Sequence, residues 1–444
     1  MQKFILLCLS SLISSVGHGI AGFATTLWVW EQTDSATALV LAGFFYKLPV
    51  VVASLFAGIV VDRANRKHLL ILSEVTSMVA ALLVLTLYLS GHLAIWHLYA
   101  VSLARGGFDQ FASLAYRASI GLMVAPSNYV RALSMTRGIG YLAGIVTPAI
   151  AGVLYPNLGL GGIIPISLAI VAFSTAILSL LKIPQPDKRI QPKSEPKNKP
   201  TLDAKTQGRA SRMALLWSEV TFGLRYIWRS AGLRSLVVIT TVFWAVCALG
   251  GAVFDPMILA RSGGSAAVLG TIGTVWGIGG FGAAALLSLW GGFRSNVRGM
   301  LVGAVGAGLA GIAFGLGQGL SVWLPACFLM SIAFPLLSGS ERALLTAAAP
   351  VPLQGRIFAA RDLVNDTAEG GAMLLAGVLS DRLLEPAMKS PNLLQSLFAP
   401  VVGTSAGAGM ALLYVGSAIA MLLVGIFGFR MPQLCDIEQK SIAN

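Results

Sequence analysis

Charged residues are scarce in this chain of 444 amino acids. Only 11% of them are Asp, Glu, Lys or Arg, against roughly 25% in soluble domains, while 56% are hydrophobic. Long stretches of the chain therefore carry no charge that could face water. This composition excludes an ordinary soluble domain and predicts an all-α integral membrane protein.

The chain also has little cysteine and lacks the motifs of common enzymes. Its four cysteines, at positions 8, 247, 327 and 435, are far apart, so we expect neither a disulfide framework nor a metal site. The Gly-rich stretch 303–315 is not followed by Gly-Lys-Ser/Thr, which excludes a Walker phosphate loop and an ATP site. No paired catalytic carboxylates or nucleophile–base pair stand out. We expect no enzyme activity, no metal and no cofactor.

The net charge of +13 would suggest a nucleic-acid partner in a soluble protein. Here the basic residues concentrate between Lys182 and Arg212, whereas the predicted loops 91–96 and 155–160 contain no Lys or Arg. This asymmetry is what the positive-inside rule describes. It places the basic loops in the cytoplasm and requires no nucleic acid.

Apolar runs of about 20 residues are long enough to span a bilayer. Twelve such runs occur, at 4–29, 37–61, 69–90, 97–120, 131–155, 160–182, 232–256, 266–290, 299–319, 322–345, 357–384 and 406–430. The first is too long for a signal peptide and is interpreted as a retained helix. An even number of spans puts both termini in the cytoplasm.

A segment rich in Pro and charge, 183–212, separates two halves. It cannot bury enough apolar surface to fold alone, so we predict a cytoplasmic basic linker. Apolar and charged residues alternate along 213–231, as in an amphipathic helix at the membrane surface. The predicted units are a six-helix bundle (1–182), the linker, and a C-terminal half (213–444) with this surface helix, a bundle (232–430) and a short cytoplasmic tail.

The two halves show a weak internal repeat. Without a gap, the segment 131–154 aligns with 356–379, so that both begin with Arg and both end in Ala-Gly-Val-Leu. Chance explains any single match, but equal spacing in corresponding spans favours a duplication of six helices. Transporters with a site between two halves have this architecture.

The loop between spans 2 and 3 resembles the signature of the major facilitator superfamily. It reads Gly58-Ile-Val-Val-Asp62-Arg63-Ala64-Asn65-Arg66-Lys67 and departs from the signature at Asn65, where the family usually has Gly. The resemblance implies two pseudo-symmetric six-helix bundles. It also implies that Asp62 and Arg63, with the start of span 11 near Arg356, form a cytoplasmic gate.

Two further motifs resemble parts of the same family. Arg105-Gly106-Gly107-Phe108-Asp109 in span 4 is similar to the membrane-embedded arginine motif of proton-coupled members. Span 5 is similar to the glycine–proline motif of exporters, through Gly140, Gly144, Pro148 and Gly152, although Thr147 stands where Gly normally precedes the Pro. The stretch 222–227 resembles the subgroup of macrolide and enterobactin exporters. Together they imply a drug:proton antiporter type.

Ionisable side chains inside spans are costly, so each is a functional candidate. Arg105 and Asp109 are four residues apart on one helix face. They either set and titrate the charge of a cavity or form a structural ion pair.

Span 11 carries Asp362, Asp366 and Glu369 as one acidic stripe. Glu369 lies about 18 Å along the helix from residue 357, near mid-membrane. A desolvated carboxylate can bind and release a proton near neutral pH, as antiport requires. The alternative is that Arg361, and Arg137 at the equivalent depth of span 5, neutralise the stripe structurally.

Three isolated side chains are weaker candidates for lining a substrate cavity, namely His18, Lys47 and Trp244. Lys47 either contacts an acidic substrate, extends to the interface or pairs with an acid. Trp244 either contacts an apolar substrate or packs in the core.

We expect a proton-coupled exporter of a small amphipathic compound, such as a drug, a macrolide or a siderophore-like metabolite. It would work by alternating access, as a monomer, in a bacterial-type plasma (inner) membrane, with the small molecule, the proton gradient and the lipid bilayer as its partners. The alternatives are a lysophospholipid or lipid flippase of the same fold and a membrane signalling or scaffold protein.

The gate interpretation makes a direct prediction. Replacing Asp62 by Asn should abolish efflux while leaving expression intact, because the substitution removes the charge that the gate requires. Efflux by cells and the amount of protein in the membrane measure the two effects. Normal efflux by this variant would rule out the gate.

Overall fold

The computed structural model describes residues 2–125, 128–185, 221–350, 353–431 and 433–434. Almost all of the predicted linker 183–212, and residues 213–220 of the predicted surface helix, lie outside these ranges. The remaining 221–229 is helical and has one buried face. At Gly58, Asp62 and Arg63 of the loop motif, the structure describes only the backbone.

The described part of the chain contains twelve membrane spans in two six-helix bundles, as the sequence predicts. The first bundle comprises span 1 (Gln2–Thr33), span 2 (Ala36–Arg63), span 3 (Arg66–Leu89), span 4 (Ile95–Met123) and the segment Tyr129–Leu180, which contains spans 5 and 6.

The second bundle begins with span 7 (Ala231–Ala252), which is followed by a short helix (Phe254–Arg261), and continues with the spans 8 to 12. These are Ala266–Trp290, Asn296–Leu316, Leu320–Ala348, Gln354–Val378 and Ala408–Gly428. A π-helical segment (Leu379–Leu384) and two short helices (Glu385–Lys389 and Leu393–Val402) connect spans 11 and 12.

The predicted loop at 155–160 is wrong, because spans 5 and 6 join at one residue. Gly159 has φ 58°, a backbone conformation that glycine adopts at little cost. Span 5 runs parallel to span 1, since the Tyr155 hydroxyl donates to Glu31 at 2.8 Å and Thr147 lies against Gly19.

Span 6 runs antiparallel to span 1, since Ser174 bonds to Ser10 and the Ser167 hydroxyl donates to the Gly17 carbonyl at 2.7 Å. The chain therefore reverses direction at Gly159 without a loop.

Spans 4 and 11 are the least apolar of the twelve. By length and hydropathy alone, nine described helical segments qualify as membrane spans; one of these, Met135–Leu180, covers spans 5 and 6, and spans 4 and 11 are not among the nine. These two spans carry the ionisable residues that the sequence singled out. Their polarity is compatible with lipid only if these groups are turned toward other helices and paired.

The two bundles meet along spans 2 and 11 and along spans 5 and 8. In the first pair, the Thr37 hydroxyl donates to the Gly377 carbonyl at 2.9 Å and Lys47 reaches Asp366, so the helices are antiparallel. Small residues form the second pair: a Cβ on Gly152 would lie 3.0 Å from the Ala266 carbonyl oxygen. Backbones approach this closely only where side chains are absent.

These contacts lie toward one end of the molecule. We call it the acidic end, after Asp34; it is defined by the loops 34–35, 262–265 and 403–407. We call the opposite end the basic end, after Arg294; it carries the loops 64–65 and 291–295. Further toward the basic end, spans 5 and 8 still touch at Gly280, where a Cβ would lie 2.8 Å from Tyr141 Cε1, whereas a Cβ added to Gly140 or Gly282 would meet no atom within 4 Å. The bundles are therefore closed against each other at the acidic end.

The contact between spans 5 and 8 makes a stability prediction. A methyl group at Gly277 would lie 2.7 Å from the Ile145 amide nitrogen and 2.8 Å from the Gly144 carbonyl carbon. Because backbone cannot move aside cheaply, Gly277→Ala should cost about 1–3 kcal/mol and lower the Tm in detergent. Gly140→Ala is the matched control, and it should leave the Tm unchanged. Equal effects of the two variants would contradict this packing.

Candidate functional site

An ion-pair cluster joins the two bundles at the middle of spans 2 and 11. The Lys47 ammonium lies 3.0 Å from Asp366 Oδ1 and 2.9 Å from Glu369 Oε2. The Asn365 amide also donates to Glu369 Oε1 at 2.7 Å. All three charged side chains are between 19% and 29% exposed. One cation from the first bundle thus pairs with two carboxylates from the second, which leaves one net negative charge when both are ionised.

The predicted acidic stripe of span 11 divides into two parts. Asp366 and Glu369 face Lys47, as two residues three apart on one helix can. Asp362 accepts from Arg361 at 2.9 Å instead, and its side chain is 49% exposed. Lys47 therefore supplies the charge that the sequence assigned to Arg361 and Arg137 as neutralising groups.

Arg361 is buried and pairs with a second acid besides Asp362. It donates to Glu341 of span 10, whose other carboxylate oxygen accepts from the Trp244 indole nitrogen at 2.9 Å. Trp244 of span 7 is thereby held in place by a polar contact. This explains its fixed position at the wall of a cavity.

Arg105 and Asp109 form the predicted pair in span 4, with the guanidinium 4.0 Å from Asp109 Oδ2. Asp109 also accepts from the Tyr46 hydroxyl at 3.1 Å and the Ser73 hydroxyl at 2.7 Å. Spans 2, 3 and 4 are therefore linked at one carboxylate. Since Tyr46 is adjacent to Lys47, this network and the cross-bundle cluster share one turn of span 2.

His18 in span 1 pairs with Glu74 in span 3, with His18 Nε2 3.1 Å from Glu74 Oε2. The Ser14 hydroxyl donates to the other carboxylate oxygen at 2.5 Å. His18 is thus turned toward span 3, while its neighbours Ser15 and Gly19 line a cavity between the bundles.

A cavity of about 520 Å³ lies within the second bundle. Its wall is mainly aromatic and apolar and includes Trp244, Phe254, Trp276, Phe334 and Tyr414. The rings touch in succession, with the centroids of Trp244 and Phe334 5.9 Å apart and those of Trp276 and Phe334 5.5 Å apart. This volume suits a drug-sized ligand.

A second cavity, of about 460 Å³, lies between the bundles. Spans 1, 5 and 8 line it, with Thr147 and Pro148 of the glycine–proline motif and with Asp255 from the short helix after span 7. Phe254 and Gly273 belong to the walls of both cavities. The two spaces therefore adjoin.

The loop between spans 2 and 3 is anchored within the first bundle. The Asn65 side chain accepts from the Lys67 amide at 3.0 Å and caps span 3. Asn is a favoured N-cap residue, which explains why it replaces the usual Gly. Arg66 donates to the Ala118 carbonyl at 2.8 Å, and Lys67 donates to the Ser179 carbonyl at 2.5 Å. These bonds tie the loop to spans 4 and 6.

The acidic end holds a second link between the bundles. The Asp381 carboxylate of the π-helical segment accepts from the Ser35 hydroxyl at 2.6 Å and from the amides of Ala36 and Thr37 at 3.2 and 2.8 Å. A carboxylate at a helix N-terminus satisfies free amides and complements the helix dipole. We call this group, Asp381 with residues 35–37, the latch.

The sequence interpretation missed four acids with clear structural positions, namely Glu74, Asp255, Glu341 and Asp381. Each lies within a predicted span. The rule that ionisable groups inside spans are functional candidates would have identified them if it had been applied to every span. Among the residues that the structure describes, no cluster of His, Cys, Asp and Glu suits a metal ion.

Comparison with known proteins agrees with this architecture. The sequence profile of the Major Facilitator Superfamily matches residues 7–372. The chain is 21% identical to macrolide efflux protein A of Streptococcus pyogenes over 383 residues, which cover 86% of this chain and 90% of that protein. It is 22% identical to the multidrug efflux pump Tap of Mycolicibacterium fortuitum, over 98% and 97%.

The enterobactin exporter EntS of Citrobacter koseri is 25% identical over 96% of this chain and 92% of that protein. Among solved structures, the nucleoside transporter NupG superposes with a TM-score of 0.68 at 12% identity, covering 97% of this chain and all of that chain. A D-xylose–proton symporter gives 0.64 at 13% identity, over 94% and 96%. The chain belongs to the Major Facilitator Superfamily and is a multi-pass membrane transporter.

Proposed function

We propose that the protein exports a small amphipathic compound from the cytoplasm by proton-coupled alternating access. The two halves, 1–182 and 213–444, would move against each other around the cavities between and beside them. The relatives in the previous section are named as exporters of macrolides, multiple drugs and enterobactin. Their names support the direction of transport and the kind of substrate.

The observation that carries proton coupling is the cluster of Lys47 with Asp366 and Glu369. It contains one positive and two negative groups in a partly desolvated place. A proton on either carboxylate brings the cluster to neutrality, whereas loss of that proton strengthens the attraction across the bundles. Because this attraction joins spans 2 and 11, proton binding would alter how tightly the halves are held together.

The sequence leaves an ion gradient as the energy source, since it has no phosphate loop for ATP. The apolar cavity in the second bundle supports an amphipathic substrate. A lipid with a single chain would also meet apolar walls there, so the transport assay below includes a lysophospholipid.

The closed acidic end supports a conformation that opens toward the basic end. By the positive-inside rule, the basic end with both termini would face the cytoplasm. The structure would then correspond to the inward-open state of a monomer. Asp62 and Arg63 would close the basic end against the start of span 11 near Arg356 in the opposite state, when the latch is broken.

Proton coupling is tested by transport into proteoliposomes under an imposed pH gradient. Glu369→Gln and Asp366→Asn should each reduce the gradient-driven initial rate about tenfold, the effect of roughly 1.4 kcal/mol, because each removes a carboxylate that faces Lys47. Asp362→Asn removes the same charge from the same helix outside the cluster, and it should retain the gradient response.

The candidate substrates in this assay are a panel of chemically different drugs, a macrolide and a lysophospholipid. If the wild type ignores the pH gradient and both cluster variants remain fully active, coupling through span 11 is wrong. Transport of the lysophospholipid alone would instead identify a lipid flippase.

The latch is tested by hydrogen exchange. Asp381→Asn weakens the acceptor of the Ala36 and Thr37 amides, so exchange at the start of span 2 should be about tenfold faster, corresponding to about 1.4 kcal/mol of local opening. The matched control is Asp34→Asn, which removes an exposed acid next to the latch. Asp34 has φ 44°, a conformation that Asn tolerates. Equal acceleration in both variants, or none in either, would contradict the latch.

A further inference from the structure

Asp255 is unusual among the acids of this membrane protein. It lies in the first turn of the helix Phe254–Arg261, is half-buried, and lines the cavity between the bundles. Among the residues that the structure describes, its carboxylate has no hydrogen-bond donor and no cation as a partner. The N-cap residue of this helix, Val253, offers no polar side chain either.

Five other acids within the spans have basic partners. Glu74 pairs with His18, Asp109 with Arg105, and Glu341 with Arg361, while Asp366 and Glu369 share Lys47. A carboxylate away from bulk water is costly unless another group balances it. The dipole of a helix with eight residues offsets only a small part of this cost. Such a carboxylate is balanced either by a proton or by a positive group that the protein itself does not supply.

The neighbouring aromatic cavity indicates which kind of molecule would carry this positive group. Phe254, the residue before Asp255, stacks 4.9 Å from Phe314 and lies 6.4 Å from Trp276. Trp276 continues the aromatic wall to Phe334. No Lys or Arg occurs among the described residues that line this cavity. Aromatic faces attract cations through the ring quadrupole and also bind apolar surface.

The two spaces together match a ligand with two parts. A bulky apolar body fills the 520 Å³ cavity, and a positive group extends past Phe254 into the 460 Å³ cavity beside Asp255. Gly273 and Phe254 line both spaces, and Pro148 of span 5 packs against Gly273. An anionic ligand would meet a like charge here, whereas a positive group would replace a proton as the charge that balances the carboxylate.

We propose that the two adjoining cavities form one binding site for lipophilic organic cations, in which Asp255 accepts the positive charge and the aromatic wall holds the apolar body. This inference rests on the proposed transport function, whose substrate class it specifies. Asp255 is thus a specificity-determining residue, separate from the Lys47 cluster.

Binding to the purified full-length protein in nanodiscs tests this proposal. The probes are tetraphenylphosphonium, a permanent lipophilic cation, and triphenylphosphine oxide, a neutral compound with three of the same rings. Equilibrium dialysis measures both, with empty nanodiscs subtracted. The wild type should bind the cation at least about tenfold more tightly than the neutral compound.

Asp255→Asn should weaken binding of the cation about tenfold and change binding of the neutral compound less than about twofold. Asp255→Glu keeps the charge and should restore most of the preference for the cation. Asp34→Asn, which removes an exposed acid outside both cavities, should have no effect. Trp276→Leu should weaken both probes, because it removes part of the aromatic wall.

The inference is overturned if Asp255→Asn leaves cation binding unchanged, or if it weakens both probes equally in protein that remains monodisperse. Transport of tetraphenylphosphonium in proteoliposomes separates this result from the proposed function. Charge-selective binding without gradient-driven transport would contradict only the transport mechanism. Gradient-driven transport together with binding that ignores charge would contradict only the role of Asp255.

Discussion

The need to balance charge inside a membrane determines how this protein is put together. Lys47 of the first bundle has its counter-charges, Asp366 and Glu369, in the second. These three charges are therefore paired only when the two bundles lie together. Removing Lys47 would leave two carboxylates without a cation, which is far more costly than the net gain of the intact group. In the proposed mechanism, the cluster would tie the positions of the two halves to the protonation of two carboxylates.

Around this cluster, the contacts between the bundles are of kinds that can form and break. Spans 5 and 8 meet through glycines, so that backbone lies on backbone at Gly152 and Gly270 and side chains of span 5 pack onto the glycines of span 8. At the acidic end, Asp381 binds the N-terminus of span 2 through hydrogen bonds that water could replace on opening. A small change in the attraction at the cluster is then enough to favour one of two arrangements. Through these contacts, proton binding in span 11 would change the separation of the bundles at both ends of the molecule.

The sequence predicts the fold well because apolar runs of about 20 residues mark the spans, although a strict criterion of length and hydropathy misses the polar spans 4 and 11. It predicts the site only in part. Spacing alone puts Asp366 and Glu369 on one face, but it does not show that Lys47, 319 residues before Asp366, supplies their cation. Helix periodicity likewise places Asp362 on the same face as these two acids, but in the structure Asp362 pairs with its neighbour Arg361 instead. The reversal at Gly159 and the free carboxylate of Asp255 depend on how helices meet, which a single sequence does not specify.

In the proposed mechanism, the two bundles pivot about the Lys47 cluster, so that one end opens while the other end closes. Spin-label distances across the acidic end and across the basic end, measured in liposomes for the wild type and for Glu369→Gln as a mimic of the protonated state, test it most directly. The account predicts that the substitution widens the distance at the acidic end and shortens the one at the basic end. Distances that stay unchanged, or that move in the same sense at both ends, would contradict it.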